Sequence, residues 1–326
     1  MYTLFKPFGS IAWEKENLSE LVTVVGVSAS PAPASELEAG LGVCDILIGD
    51  VDISVDRKLL AKAPKLKAVL CTSVGVDYVD AEALNERGIV LANDPDFCSN
   101  AVGEFAMGLI YALLRKIPSG TEMLKSNRWG ERGALGGVEL FGKTLGLLAF
   151  GRIGREVARQ ALGVGMKVVA YSPHLNRKVA EDRGVVPVSF EELLRTSDVV
   201  SLHMPLSDET KHIIGAPELA SMKDGAYLIN VARGGVLDEK ALLAALESGK
   251  LAGAALDVLE QEPPAPEHPL LRAAQKHNLI LTPHIGWHSF DARDKSLNCL
   301  KRQVAAVVAG RLPDECLNAA HAALPR

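Results

Sequence analysis

Three residues spread over the last third of the chain offer a fixed cation, an acid and an imidazole: Arg233 in NVARGG, Glu262 in LDVLEQEPP and His284 in LTPHIG. Each comes shortly after an apolar run that reads as a strand, 226–230, 252–256 and 279–281 respectively. Taken singly they have ordinary explanations. A post-strand Arg is often solvated, a Glu before two prolines can serve only to shape a turn, and a lone His is more often structural. As a set they suit hydride transfer between a nicotinamide and a carbonyl beside a carboxylate. Reduction puts negative charge on the carbonyl oxygen, so a proton donor must stand within hydrogen-bond reach, and His284 is that candidate. An ionised Glu262 beside it favours the imidazolium and fixes the ring. Arg233, permanently charged and planar, suits the substrate carboxylate or the carbonyl itself.

A hydride carrier needs a binding turn, and the stretch 144–172, TLGLLAFGRIGREVARQALGVGMKVVAYS, reads as strand, tight turn, helix, strand. Gly151 lets backbone approach a pyrophosphate, and Gly154 lets the helix pack close to the strand, with free N–H groups at the helix start aimed at the anion. The fingerprint is incomplete. Ala149 occupies the place of its usual first Gly, and Ser172 stands where an acid would hold a ribose hydroxyl.

The elements that must position these groups alternate along the chain. Strands are expected over 21–27, 46–48, 68–71 and 89–91, with helices over 56–63 and 80–87 opening on capping acids. The loop Thr72-Ser73-Val74-Gly75-Val76-Asp77 follows one of these strands, and Gly75 allows a conformation that shows consecutive N–H groups to a small anion. One long apolar helix, about 101–124, then crosses to a second domain. There the βα rhythm continues through strands 185–188, 198–202, 226–230, 252–256 and 279–281 and helices 190–195 and 239–247, giving about seven parallel strands of a doubly wound sheet. A last helix, about 289–309, returns the chain to the first domain. Ligands of such sheets bind beyond the carboxyl ends of the strands, where all the candidates fall.

Composition excludes other classes. A chain of 326 residues, 48% hydrophobic and 23% charged, has room for two globular cores. A net charge of -5, a pI near 5.9 and the lack of a basic cluster argue against nucleic acid or an anionic membrane as partner. The start, MYTLFKPFGS, has no apolar run of signal-peptide length, and 101–114 carries Glu104 and is too short to span a bilayer, so a cytoplasmic protein is expected. Five scattered cysteines suggest buried thiols, with neither a disulfide framework nor a metal site.

The segments SVGVDYVD, NAVGEFAMGLI, FGKTLGLLAFGRIGREVA, SDVVSLHMPLSDET, GAYLINVARGGVLDEKAL, GAALDVLEQEPP and LTPHIG, in this order, resemble the D-isomer-specific 2-hydroxyacid dehydrogenase family over about 68–286. The resemblance implies two Rossmann-like α/β domains with a cleft between them: 1–98 plus 290–326 for substrate, flavodoxin-like, and 99–289 for the dinucleotide. It also implies a homodimer. By it Arg233, Glu262 and His284 match the catalytic residues. Val74, Gly75 and Val76 match the substrate-carboxylate loop, and Gly151, Arg152, Ile153 and Gly154 the pyrophosphate turn. Asp257 matches an acid near the nicotinamide carboxamide, and His203 with Pro205 a segment on the adenosine side. Thr210, Val231, Ala232 and Gly286 fall in the matched segments and are expected at the cofactor.

Departures narrow the reading. Glu262, where formate-oxidising relatives have glutamine, points to 2-hydroxy or 2-keto acids. Relatives acting on phosphoglycerate usually carry an arginine about where Cys71 stands, and too little chain follows His284 for a regulatory domain. The SVG of 73–75 is closer to glyoxylate and hydroxypyruvate reductases. Ser172, with His174, Arg177 and Lys178 beyond it, removes the repulsion of a 2'-phosphate, so NAD or NADP is allowed and NADP is slightly favoured. Trp287 and His288, after the candidate catalytic His, either narrow the pocket or pack at an interface. Two other classes rank lower. A cofactor-sensing corepressor-like protein needs a partner surface that the sequence does not display, and a methyltransferase leaves the Arg, Glu and His without a task.

Overall fold

The computed structural model describes residues 1–51 and 53–324. The chain divides into two compact units, Met1–Phe97 with Phe290–Arg326, and Cys98–Ser289. In chain order the first contains β1 (Tyr2–Lys6), α1 (Ala12–Leu18), β2 (Val22–Gly26), α2 (Ala34–Val43), β3 (Ile46–Gly49), α3 (Arg57–Ala61), β4 (Ala68–Cys71), α4 (Ala81–Glu86) and β5 (Val90–Ala92). The second contains α5 (Ser99–Leu114), α6 (Ile117–Lys125), β6 (Thr144–Leu148), α7 (Arg152–Gly163), β7 (Lys167–Tyr171), α8 (Arg177–Glu181) and β8 (Val186–Pro187). It continues through α9 (Phe190–Thr196), β9 (Val199–Leu202), α10 (Ala216–Ser221), β10 (Ala226–Asn230), α11 (Glu239–Glu247), β11 (Leu251–Leu256), α12 (Pro269–Ala273) and β12 (Leu279–Leu281). Helix α13 (Phe290–Val308) then rejoins the first unit.

The first unit's sheet is parallel in the order β2-β1-β3-β4-β5, the flavodoxin-type winding. Neighbours on a strand go to opposite faces. Leu4 packs with Ile46, Ile48, Leu70 and Val90 beneath Leu300, Val304 and Val307 of α13, while Phe5 joins Leu47, Val69 and Leu91 against Leu59, Leu60 and Leu84. Burial on both faces is why β3, β4 and β5 read as unbroken apolar runs. Asp56 and Asp80 start α3 and α4 by accepting the Leu59 and Ala83 N–H groups at 2.8 and 2.9 Å.

The second sheet has seven parallel strands, in the order β12-β11-β10-β9-β6-β7-β8. Leu148, Val200, Leu202, Leu228, Ala254 and Leu256 meet Leu193, Leu219 and Leu242 from α9, α10 and α11 in one apolar cluster. The single helix expected over 101–124 is two. Helix α5 ends at Leu114, Lys116 adopts a left-handed φ of 51°, and Pro118 sits in the first turn of α6, where its missing N–H is harmless. Strand β1 and helices α1, α2, α8, α10 and α12 were not anticipated by the apolar pattern. Among the described residues no helix is long and apolar enough to cross a membrane.

Candidate active site

Because the seven strands run parallel, the loops after them leave one edge of the sheet. Three adjacent strands, β10, β11 and β12, are followed by Arg233, Glu262 and His284. The Arg233 turn is wound on Asn230, the fully buried last residue of β10. Asn230 Nδ2 donates to the Arg233 carbonyl at 2.9 Å, and its Oδ1 accepts the Ala232 N–H at 3.0 Å, satisfying a buried amide while fixing the turn. The guanidinium donates to the Ala232 carbonyl at 2.9 Å. Val231 and Ala232 form the same turn, with Val231 buried. Gly234 opens a single 3₁₀ turn, Gly234–Val236, and a Cβ there would fall 1.9 Å from the carbonyl carbon of Leu259. Only glycine lets the Arg233 turn press against the backbone that leads to Glu262.

Glu262 and His284 form a pair, Oε2 to Nδ1 at 2.7 Å, both partly exposed. The other Glu262 oxygen accepts the Leu259 N–H at 2.9 Å. Burial works to raise the Glu262 pKa but is outweighed by the His284 hydrogen bond, the Leu259 N–H and the charges of His284 and Arg233, so the carboxyl sits below its usual range. The hydrogen bond to Glu262 raises the His284 pKa, with the Glu262 charge adding to it, against the opposing effects of burial and of the Arg233 charge. With Nδ1–H committed to Glu262, Nε2 is the nitrogen available to exchange a proton with a substrate.

His284 is held in a left-handed conformation, φ 54°, its N–H donating to the carbonyls of Asp257 at 2.8 Å and Thr282 at 3.0 Å. Asp257, buried after β11, organises the same loop. Its Oδ1 accepts the Thr282 hydroxyl at 2.6 Å and the Ile285 N–H at 3.0 Å, and its Oδ2 accepts the Gly286 N–H at 2.7 Å. Burial raises its pKa despite these donors. Gly286 is tightly placed, since a Cβ would fall 2.9 Å from Asp257 Oδ2 and 3.2 Å from Phe105. Beyond it, Trp287 is partly exposed and stacks on His288 with ring centres 4.9 Å apart.

The glycine turn follows β6. Gly151 precedes α7 without any side-chain cap, and a Cβ on it would meet nothing within 4 Å. Arg152 and Ile153 begin the helix. A Cβ on Gly154 would strike the Ala149 carbonyl oxygen at 2.6 Å, so glycine is required there for helix–strand packing. Ala149 itself carries φ 78°, a conformation that favours glycine. An uncapped helix start beside open space suits a pyrophosphate. His203 follows β9, the neighbour of β6. Its Nε2 is hydrogen-bonded to the buried Ser201 hydroxyl at 2.9 Å, while its buried Nδ1 has no partner among the described residues. Burial pushes its pKa down to about 4. Pro205 accepts the Thr210 hydroxyl at 2.7 Å, closing the loop beyond. Ser172 is half-buried at the end of β7, with His174, Arg177 and Lys178 exposed. These residues together fit a dinucleotide along the β6, β7 and β9 ends.

Val74, Gly75 and Val76 belong to the first unit, in the loop after β4. Gly75 is not among the glycines with a left-handed φ, contrary to the conformational reason expected for it. Hydrogen bonds shape the loop instead. Ser73 Oγ donates to the Gly75 carbonyl at 2.7 Å and lies 2.9 Å from the Tyr78 hydroxyl, and Asn93 Nδ2 donates to the Val74 carbonyl at 2.6 Å. Cys71 is buried at the end of β4, its thiol pushed up to about 12 by burial. Asn230, Gly234 and Asn93 escaped the sequence reading. An Asn closing an apolar strand, as in AYLIN, was the one available signal.

An open parallel sheet with an uncapped glycine turn at one strand end and a charged triad at three others defines a dinucleotide-binding oxidoreductase architecture. Comparison with known proteins agrees: residues 107–286 match the model of the D-isomer specific 2-hydroxyacid dehydrogenase, NAD binding domain. The chain is 39% identical to the glyoxylate reductase of Thermococcus litoralis, over 84% of this chain and 83% of that one. It is 40% identical to the D-3-phosphoglycerate dehydrogenase of Methanocaldococcus jannaschii over 93% of its own length, but spans only 56% of that relative. Among solved structures, D-lactate dehydrogenase from Aquifex aeolicus, complexed with NAD and lactic acid, superposes with a TM-score of 0.86 at 31% identity, covering 94% of this chain and 96% of that one. The chain belongs to the D-isomer specific 2-hydroxyacid dehydrogenase family.

Proposed function

We propose that this protein interconverts a small 2-keto acid and its D-2-hydroxy acid with NAD(H) or NADP(H), glyoxylate or hydroxypyruvate being the favoured substrates. The observation that carries the reading is the 2.7 Å pair of His284 with Glu262, within the field of Arg233, at the ends of three adjacent strands. The nicotinamide, when bound, supplies or accepts the hydride. His284 gives the carbonyl oxygen its proton through Nε2 as negative charge develops there. Glu262 keeps the imidazole protonated and oriented, and Arg233 engages the carboxylate or the polarised carbonyl. The 74–76 loop, by its match to the family's substrate-carboxylate loop, is assigned backbone donors for a carboxylate. Asp257 holds the Thr282–Gly286 segment, and so His284, in place.

Glyoxylate reductase activity in a relative covered over most of its length, and the SVG loop, support a small keto acid. A phosphoglycerate dehydrogenase-like enzyme is the second reading, resting on the relative from Methanocaldococcus. Against it, Cys71 is buried and neutral where that chemistry calls for a cation. Ser172 and the exposed His174, Arg177 and Lys178 tilt the cofactor toward NADP(H). The exposed apolar side chains Tyr111, Ile117, Leu124 and Trp129 support a homodimer, as a cytoplasmic enzyme. A panel of 2-keto acids assayed with NADH and NADPH tests the assignment. Reduction of glyoxylate or hydroxypyruvate is expected, with NADPH preferred, and His284→Ala or Arg233→Ala is expected to lower kcat at least about 100-fold. Near-normal turnover in both variants overturns the site, a clear NADH preference overturns the cofactor choice, and silence across the panel overturns the activity.

A further inference from the structure

We propose that Asn93 is a positioning residue that aims the Val74 and Gly75 backbone donors at the substrate carboxylate, a role that rests on the loop assignment made above. The Ser73 carbonyl accepts the Asp94 N–H at 3.1 Å, and the Val74 carbonyl accepts Asn93 Nδ2 at 2.6 Å. In a planar trans peptide the C=O of one residue and the N–H of the next point in opposite directions. Tying both carbonyls to the 93–94 segment therefore turns the N–H groups of Val74 and Gly75 to the other side. Among the described residues no backbone carbonyl takes either N–H.

The side chain of Asn93 is poorly suited to a purely packing role. It is 6% exposed, directly after the apolar β5, and its Oδ1 is buried without a partner among the described residues. A buried amide with an unpaired oxygen costs stability relative to an apolar residue of the same size. One of its two N–H donors is given to the Val74 carbonyl. Behind it stands a second buried amide, Gln303 of α13, 2% exposed between Leu300 and Val304, whose Nε2 donates to the Asn93 backbone carbonyl at 2.8 Å. The Gln303, Asn93 and Val74 contacts form a line from the interior of the first unit to the loop, through two buried amides that stand beside the buried Asp94 and Ser296.

Steady-state kinetics of Asn93→Leu and Gln303→Met test this, with the 2-keto acid varied at saturating nicotinamide cofactor and Ser73→Ala as a probe of the loop itself. Asn93→Leu is expected to raise the KM for the keto acid about tenfold, leaving kcat and the cofactor KM within about twofold and the melting temperature unchanged or higher. Gln303→Met moves the keto-acid KM in the same direction by less, and settles the matter if Asn93→Leu does not fold. If Ser73→Ala raises that KM while the Asn93 and Gln303 variants leave it unchanged, Asn93 does not position the loop, although the loop assignment stands. If none of the three moves it, the loop assignment has failed. A parallel loss of kcat, cofactor affinity and thermal stability in Asn93→Leu reduces the residue to packing and overturns the proposal.

Discussion

The single imidazole at position 284 gathers its properties from three neighbours, Glu262, Arg233 and Asp257, and its titration exposes that. Glu262 raises its pKa by hydrogen bond and charge, against burial and the Arg233 charge. Keto-acid reduction needs the imidazolium, so kcat/KM holds at low pH and falls as pH rises through the raised His284 pKa. Glu262→Gln removes the charge and weakens the bond. The alkaline limb of the pH profile for reduction should then move to lower pH, and a limb that stays in place would show that Glu262 does not set the proton affinity of His284. Oxidation of the hydroxy acid needs the neutral ring, so its acid limb should shift in the same direction. A different residue tests conformation alone. Ala149 bears φ 78° at the strand end, where a Cβ costs roughly 1 kcal/mol, partly offset by the greater chain entropy of glycine. Ala149→Gly should raise the melting temperature by a few degrees without touching the proton donor. A lower melting temperature would remove strain as the account of this position.

Loops rather than single side chains decide whether Arg233 and Glu262 can serve one substrate. Gly234 lies where a Cβ would fall 1.9 Å from the Leu259 carbonyl carbon, backbone against backbone, whereas at Gly235 it would meet only the flexible end of Leu206 at 3.2 Å. Gly234→Ala should therefore push the Arg233 turn off the Glu262 loop and cost about 100-fold in kcat, with Gly235→Ala close to wild type. Equal effects of the two would mean that the contact does not matter. Such contacts explain what the sequence could disclose. The strands β4 and β10 were readable because burial on both faces leaves unbroken apolar runs, and Asp56 and Asp80 announced their helices by cap chemistry. Arg233, Glu262 and His284 stood out because each falls just past such a run. Gly234 and Asn93 act through residues brought near by folding, and no local pattern encodes that, whereas Asn230 holds its own turn through Ala232 and Arg233 and showed only as a polar residue closing an apolar strand. The break between α5 and α6 was signalled by Pro118 but masked by apolar residues continuing on both sides.

The chain leaves its first unit at residue 97 and returns at 290, which makes the two units unequal in independence. The second, Cys98–Ser289, is contiguous and owns a complete core around its seven strands. The first must wait for α13, whose Leu300, Val304 and Val307 cover Leu4, Ile48, Leu70 and Val90 on one face of its sheet. At about 1.5–3 kcal/mol for each buried side chain, losing those three removes an amount comparable with the whole net stability of a domain, about 5–15 kcal/mol. Residues 1–97 expressed alone should therefore fail to fold, and should fold when 290–326 are supplied. Residues 98–289 alone should melt cooperatively and still bind the reduced cofactor, seen by its change in fluorescence. They should also sediment as a dimer, because Tyr111, Ile117, Leu124 and Trp129 all lie within this piece. A folded 1–97 fragment would show that α13 is dispensable to the first core. A monomeric 98–289 fragment that binds cofactor would place the dimer contact elsewhere, and one that neither melts cooperatively nor binds would show that the dinucleotide site is not a property of this unit alone.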